Sequence, residues 1–86
     1  MVLCGIVSFP ELGKLDNGVQ FFSFCVCTEK DLKKHFHRCT VWGKRSIPIS
    51  EAIEEGDTVV VSGELQYRKI RTQEAYIVCD DVVWVG

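Results

Sequence analysis

The stretch Ser50-Glu-Ala-Ile-Glu-Glu-Gly56, SEAIEEG, decides how the rest of the chain is read. It reads as a short helix. Ser50 can cap the first turn, because a serine oxygen accepts a backbone N–H that the helix leaves unpaired. Gly56 can end the last turn in a left-handed conformation. A plain turn is the alternative reading. Sequence on both sides carries strand signals, so this segment stands as one helix in an otherwise β chain.

Toward the N-terminus lies a third strand, His35 to Gly43, preceded by the polar stretch TEKDLKK, which reads as a loop. A second strand runs from Val19 to Thr28. Asn17-Gly18 before it signals a hairpin, since Asn and Gly accept the positive φ of a type I′ turn. Val2 to Phe9 is the first strand, and Pro10 interrupts it. Toward the C-terminus, Val59 to Ile70 is the fourth strand and Ala75 to Val85 the fifth, joined by the short polar hairpin loop KIRTQE. Five strands with one short helix between strands three and four is the order of an all-β OB-fold, a five-stranded Greek-key barrel. An SH3-like barrel is the competing five-stranded architecture; the position of the helix favours the OB-fold.

The 86 residues are expected to form one domain, 1–86. A hydrophobic content of 47% excludes a disordered chain. No apolar run approaches the roughly 20 residues of a membrane span. The start, MVLCGIVSF, has no basic region and no small-residue cleavage site, so no signal peptide is expected. Five cysteines, Cys4, Cys25, Cys27, Cys39 and Cys79, form no C-x-x-C pair, and each sits in an apolar run. They are expected to be buried free thiols in a reducing cytosol, which implies a cytoplasmic protein. So small a chain buries only about 60–65% of its surface, and association with other copies is expected to add stability.

The net charge of −2 does not by itself suggest nucleic acid, but its distribution does. Lys30, Lys33, Lys34, Arg38, Lys44 and Arg45 form one basic stretch, and Arg68, Lys69 and Arg71 another. Strand alternation puts Phe36, Arg38, Thr40, Trp42 and Lys44 on one face of the third strand. His35, His37, Cys39 and Val41 fall on the other. The first face interleaves aromatics with cations, the pairing that unstacked bases and a phosphate backbone require. Aromatics in a strand more often belong to a core, but unpaired cations are costly to bury, which favours exposure here. In the fourth strand Val59, Val61 and Leu65 read as core, with Gln66 and Arg68 outward and Glu64 beside Arg68. A solvated charge run is the alternative for RKIR.

His35, His37 and Cys39 could be read as metal ligands, with Cys25 or Cys27 completing the set, but no standard zinc spacing is present. No metal and no cofactor are expected. There is no Gly-rich phosphate loop, no nucleophile elbow and no H-E-x-x-H, so no catalysis is expected either.

Over nearly its whole length the chain resembles the bacterial and phage single-stranded DNA-binding proteins. The matching pieces, in order, are GIVSFPEL, NG, FSFCVCTE, FHRCTVWGK and EEGDTVVVSGELQYRK. The fourth, FHRCTVWGK, with its aromatic-His-Arg then aromatic-Gly-Lys pattern, is the most specific. The resemblance implies an OB-fold that assembles as a homotetramer or homodimer and binds single-stranded DNA in replication, repair or recombination, with replication or recombination proteins as further partners. It implies that Phe36 and Trp42 stack on bases and that Arg38, Lys44, Arg68 and Lys69 contact phosphates or base edges. Arg71, Lys33 and Lys34 join them as candidates from the two basic stretches. His37 matches a family histidine at the subunit interface. The chain departs from the family at Ile70, where many members have a stacking tryptophan, and at Glu64, which adds negative charge. A related rival is primosomal replication protein N, a dimeric OB-fold that would make this chain a protein-interaction module with weak DNA binding. WGK and V-x-G-x-L favour the former.

Overall fold

The elements follow the expected order: β1 (Val2–Lys14), β2 (Gln20–Lys30), β3 (Lys33–Trp42), α1 (Ser46–Ala52), β4 (Thr58–Ile70) and β5 (Thr72–Trp84). The computed structural model describes the backbone of residues 1–70 and 72–86, and the side chains of residues 1–66 and 76–86. The strands close a barrel in the order β1-β2-β3-β5-β4, with β4 pairing back to β1. Every neighbouring pair is antiparallel except β3 and β5, which are parallel. This is the OB-fold, with its short helix between strands three and four.

Alternation builds the core. Val7 from β1, Phe22, Phe24 and Val26 from β2, and Cys39 and Val41 from β3 are buried inside the barrel. Val59, Val61, Ile77 and Cys79 complete it from β4 and β5, and Ile53 seals one end just after α1. Odd residues of β3 thus face inward, as the alternation requires. Cys39 and Cys79 meet in this core. Interaction with the Cys79 thiol, together with burial, pushes the Cys39 thiol well above the ordinary range.

The helix starts earlier than Ser50. Gly43, at φ +81°, turns the chain out of β3 into a 3-10 turn (Gly43–Arg45) that leads directly into α1. The Ser46 hydroxyl donates to the Gly43 carbonyl at 2.6 Å. Ser50 lies inside the helix and donates to the Ile47 carbonyl at 2.7 Å, so it caps nothing. Pro48 is tolerated because it sits in the first turn, where backbone N–H groups have no helical partner. Gly56, at φ +93°, serves the turn after the helix, and its N–H donates to the Val7 carbonyl at 2.9 Å.

Both of the first two hairpins differ in detail from the sequence reading. The Asn17-Gly18 hairpin forms, but only Gly18 takes a positive φ. Leu15 N–H donates to the Val19 carbonyl and Gly18 N–H to the Leu15 carbonyl, each at 2.9 Å. That is a three-residue loop closed by a left-handed glycine, not a type I′ turn. The positive-φ pair lies instead at Asp31 (φ 53°) and Leu32 (φ 65°), so TEKDLKK is a tight hairpin with Lys30 opposite Lys33, not a loop. Leu32 is 94% exposed at its tip.

β1 does not stop at Pro10. It passes through a bulge, where Ser8 pairs with Cys25 and the next pair is Glu11 with Ser23. Phe9 in the bulge has φ 53°, and Pro10 has no N–H to offer a ladder. In β4, Leu65 was expected in the core but is 43% exposed. The pairing of β4 with β1 ends at Ser62, so no β1 neighbour covers Leu65. KIRTQE is mostly paired backbone, with Ile70 opposite Thr72.

Candidate functional site

The register brings three rows of outward side chains side by side. Thr40 of β3 is opposite Ser23 on β2 and Val78 on β5. Ser23 is in turn opposite Glu11 on β1, so one row reads Glu11, Ser23, Thr40, Val78. Two residues further along β3 the row is Trp42, Phe21 and Gly13. Two residues back on β3 and on β5 stand Arg38 and Tyr76. At the centre of the middle row Ser23 and Thr40 are small, while Trp42, Phe21, Arg38 and Tyr76 in the flanking rows are large. The result is a groove with a hydroxyl floor, lined by Glu11, Leu15, Phe21, Ser23, Arg38, Thr40, Trp42 and Tyr76, that encloses about 180 Å³.

Each wall has a local cause. The Phe21 and Trp42 rings lie 5.6 Å apart at 51°. Phe21 can lie across β1 because its partner there is Gly13; a β-carbon at Gly13 would fall within 2.9 Å of the ring edge. A ring laid over a cross-strand glycine covers backbone that would otherwise be bare. Glu11 enters the groove because of the bulge. Val7 points inward, so unbroken alternation would turn Glu11 inward too. The extra residue at Phe9–Pro10 reverses the phase, and Glu11 shares the outer face with Ser23.

Trp42 and Arg38 therefore share one groove as the alternation of the third strand requires. Phe36 lies on the same outward face and is 58% exposed, but in a second groove. Its neighbours there are Cys4, Gly5, Ile6, Ser8, Cys27, Thr28, Glu29 and Lys34. The Ser8 hydroxyl, buried in this groove, has no hydrogen-bond partner among the described residues. Lys33 and Lys34 are exposed at the start of β3, opposite Lys30 and Glu29. Lys44 is exposed but off the strand, because the turn at Gly43 breaks the alternation. Arg71 lies outside the described residues, as do the side chains of Arg68 and Lys69.

His37 points to the inner side of β3, half-buried, with Nε2 at 3.1 Å from the Thr28 hydroxyl. His35 is exposed and Cys39 is in the core, so the three do not converge. Among the described residues no three His, Cys, Asp or Glu side chains cluster as a metal site would require. No described helix is long and apolar enough to cross a membrane.

Phe21, Tyr76 and Glu11 belong to the groove but do not stand out in the sequence. Phe21 is one of two adjacent phenylalanines, and alternation alone says that one faces out. Tyr76 reaches β3 only through the parallel β3–β5 pairing, which leaves no local signal.

The family model described as the single-strand binding protein family matches residues 1–82. A search of curated proteins found no match to this chain.

Proposed function

This chain belongs to the single-strand binding protein family, DNA-binding proteins rather than enzymes, and from that premise we propose how it holds single-stranded DNA. One base enters the groove between Trp42 with Phe21 on one side and Tyr76 with Arg38 on the other. Phe36, about 20 Å from Trp42 along the strand at roughly 3.3 Å per residue, offers a second platform. Each base–aromatic stack contributes about 1–3 kcal/mol whatever the base, so recognition is tolerant of sequence. Arg38, Lys33, Lys34 and Lys44, with Arg68, Lys69 and Arg71, neutralise phosphates. The role suits replication, repair or recombination in the cytoplasm, where single strands are exposed.

The observation that carries this reading is the groove itself, an aromatic cleft that holds Arg38 over a polar floor on the outer face of an OB barrel. Titration with oligo-dT tests it. Trp42 fluorescence should be quenched at low salt, and a Trp42→Phe variant should lose most of the signal, leaving the contribution of Trp84. The slope of log K against log salt should be negative, near −0.7 for each phosphate neutralised. No quenching, or binding indifferent to salt, would refute the reading.

We also propose that the chain self-associates, as a dimer or tetramer. Val2, Ile6, Phe36 and Val83 are each at least half exposed on the outer face of the barrel, a concentration of apolar surface that favours a partner. His37 is proposed as an interface residue. Sedimentation across a range of concentrations decides the matter; a monomer throughout would exclude it.

A further inference from the structure

We propose that the Trp42 groove reads the base it holds and favours guanine, with Glu11 as the residue that discriminates. The inference rests on the single-strand reading above and goes further by making one position of a tolerant binder selective.

A carboxylate is out of place in a site built only for phosphates. Glu11 nevertheless lines the groove with Trp42, Phe21, Arg38 and Tyr76. Its position there depends on the bulge between Ser8 and Glu11, a local device that re-aims one side chain at a cost in regular pairing. Glu11 has no ion pair and no side-chain hydrogen bond among the described residues. It stands at the β1 end of the row whose floor is Ser23 and Thr40. A base held between the two walls would present one edge to that floor and to the carboxylate.

Such a carboxylate accepts hydrogen bonds and donates none. The base edge that suits it best offers two N–H donors side by side. Guanine does so on its Watson–Crick edge, through N1–H and the N2 amino group. Adenine and cytosine each offer one amino group beside an acceptor nitrogen. Thymine offers one N–H between two carbonyl oxygens, which repel a carboxylate. Discrimination by a good bidentate pair is substantial even where stacking is indifferent to sequence.

The experiment compares displacement of a labelled oligo-dT from the protein by short oligo-dT, by the same oligomer with one central dG, and by one with a central dA. The dA oligomer controls for the stronger stacking of a purine. The dG oligomer should compete at least about fivefold better than the dA oligomer, and one central deoxyinosine, which lacks the amino group, should fall between them. In Glu11→Gln the dG-to-dA ratio should collapse toward one, even if removal of a negative charge tightens binding to all the oligomers. Circular dichroism would verify that the variant is folded. Equal competition by dG and dA in the parent protein would overturn the inference and leave the single-strand reading intact. A ratio that survives Glu11→Gln would also overturn it. Failure of every oligomer to bind would overturn the single-strand reading itself, and this inference with it.

Discussion

The Trp42 and Phe21 rings are direct partners in the β2–β3 register and lie 5.6 Å apart, centroid to centroid. Phe21 in turn rests over Gly13 on β1. The indole is therefore braced from below by a chain of contacts that crosses three strands. Trp42→Ala should weaken oligo-dT binding by about 1–3 kcal/mol, the worth of one base stack. Phe21→Ala should cost about 0.5–1.5 kcal/mol, the usual worth of an aromatic pair, by leaving the indole unsupported. Fluorescence anisotropy of labelled oligo-dT measures both. Parental affinity in both variants would remove this ring pair from the binding surface.

Phe36 and Trp42 share a face of β3 but line different grooves. They are far enough apart that their contributions should be independent. Side chains more than about 7–10 Å apart with no shared partner usually add to within 0.3–0.5 kcal/mol. The double variant Phe36→Ala with Trp42→Ala should therefore lose the sum of the two single losses. Strong coupling in the double-mutant cycle would mean that the two platforms are engaged together by one continuous stretch of the bound strand. An effect of Phe36→Ala on self-association with none on oligo-dT would assign Phe36 to the subunit contact.

Much of this arrangement is legible in the sequence, and the rest fails for identifiable reasons. Alternation alone separates Trp42 and Arg38 from Cys39 and Val41, because a closed barrel has one wet face and one dry face. It fails at Glu11, where the bulge at Phe9–Pro10 shifts the phase by one residue. It fails at Lys44, where Gly43 ends the strand one residue early. At Leu65 the side-chain type suggested core, but β1 stops pairing with β4 before reaching it. Asn17-Gly18 marked a hairpin correctly and its geometry wrongly. Two non-glycine residues, Asp31 and Leu32, hold the left-handed turn that composition assigned elsewhere. Pairing partners set the positions of Glu11 and Leu65, and partners distant in sequence leave no local pattern.

Gly63 marks a close approach between β4 and β5. A β-carbon there would collide with the Val78 carbonyl oxygen and lie 2.9 Å from the Cys79 Cα. Both are backbone or backbone-attached atoms that cannot rotate away. Gly63→Ala must therefore push the two strands apart next to the Cys39–Cys79 core. A loss of about 1–3 kcal/mol is expected, the range for overpacking a buried site. The urea midpoint should fall with little change in slope. An unchanged midpoint would mean that the irregular pairing at Ser62 and Gly63 absorbs the extra methyl.

The cysteines divide by position, and their reactivity should divide with them. Cys4 is exposed, Cys25 and Cys27 are half-buried, and Cys39 and Cys79 are buried. A thiol reagent attacks the thiolate, and it must also reach the sulfur. In the native protein Cys4 should label first. Cys39 should resist, because the reagent cannot enter the barrel and because the neighbouring Cys79 thiol and burial keep its proton in place. Cys39 and Cys79 should label fully only in denaturant. Raising the pH should leave Cys39 dependent on unfolding. Mass spectrometry of the labelled peptides distinguishes the sites. The same measurement bears on assembly, since Cys4 lies beside Ile6 and Phe36 in the second groove. If copies meet through that surface, Cys4 labelling should slow as protein concentration rises. A rate independent of concentration would place the contact elsewhere, and rapid native labelling of Cys39 would contradict the packed core.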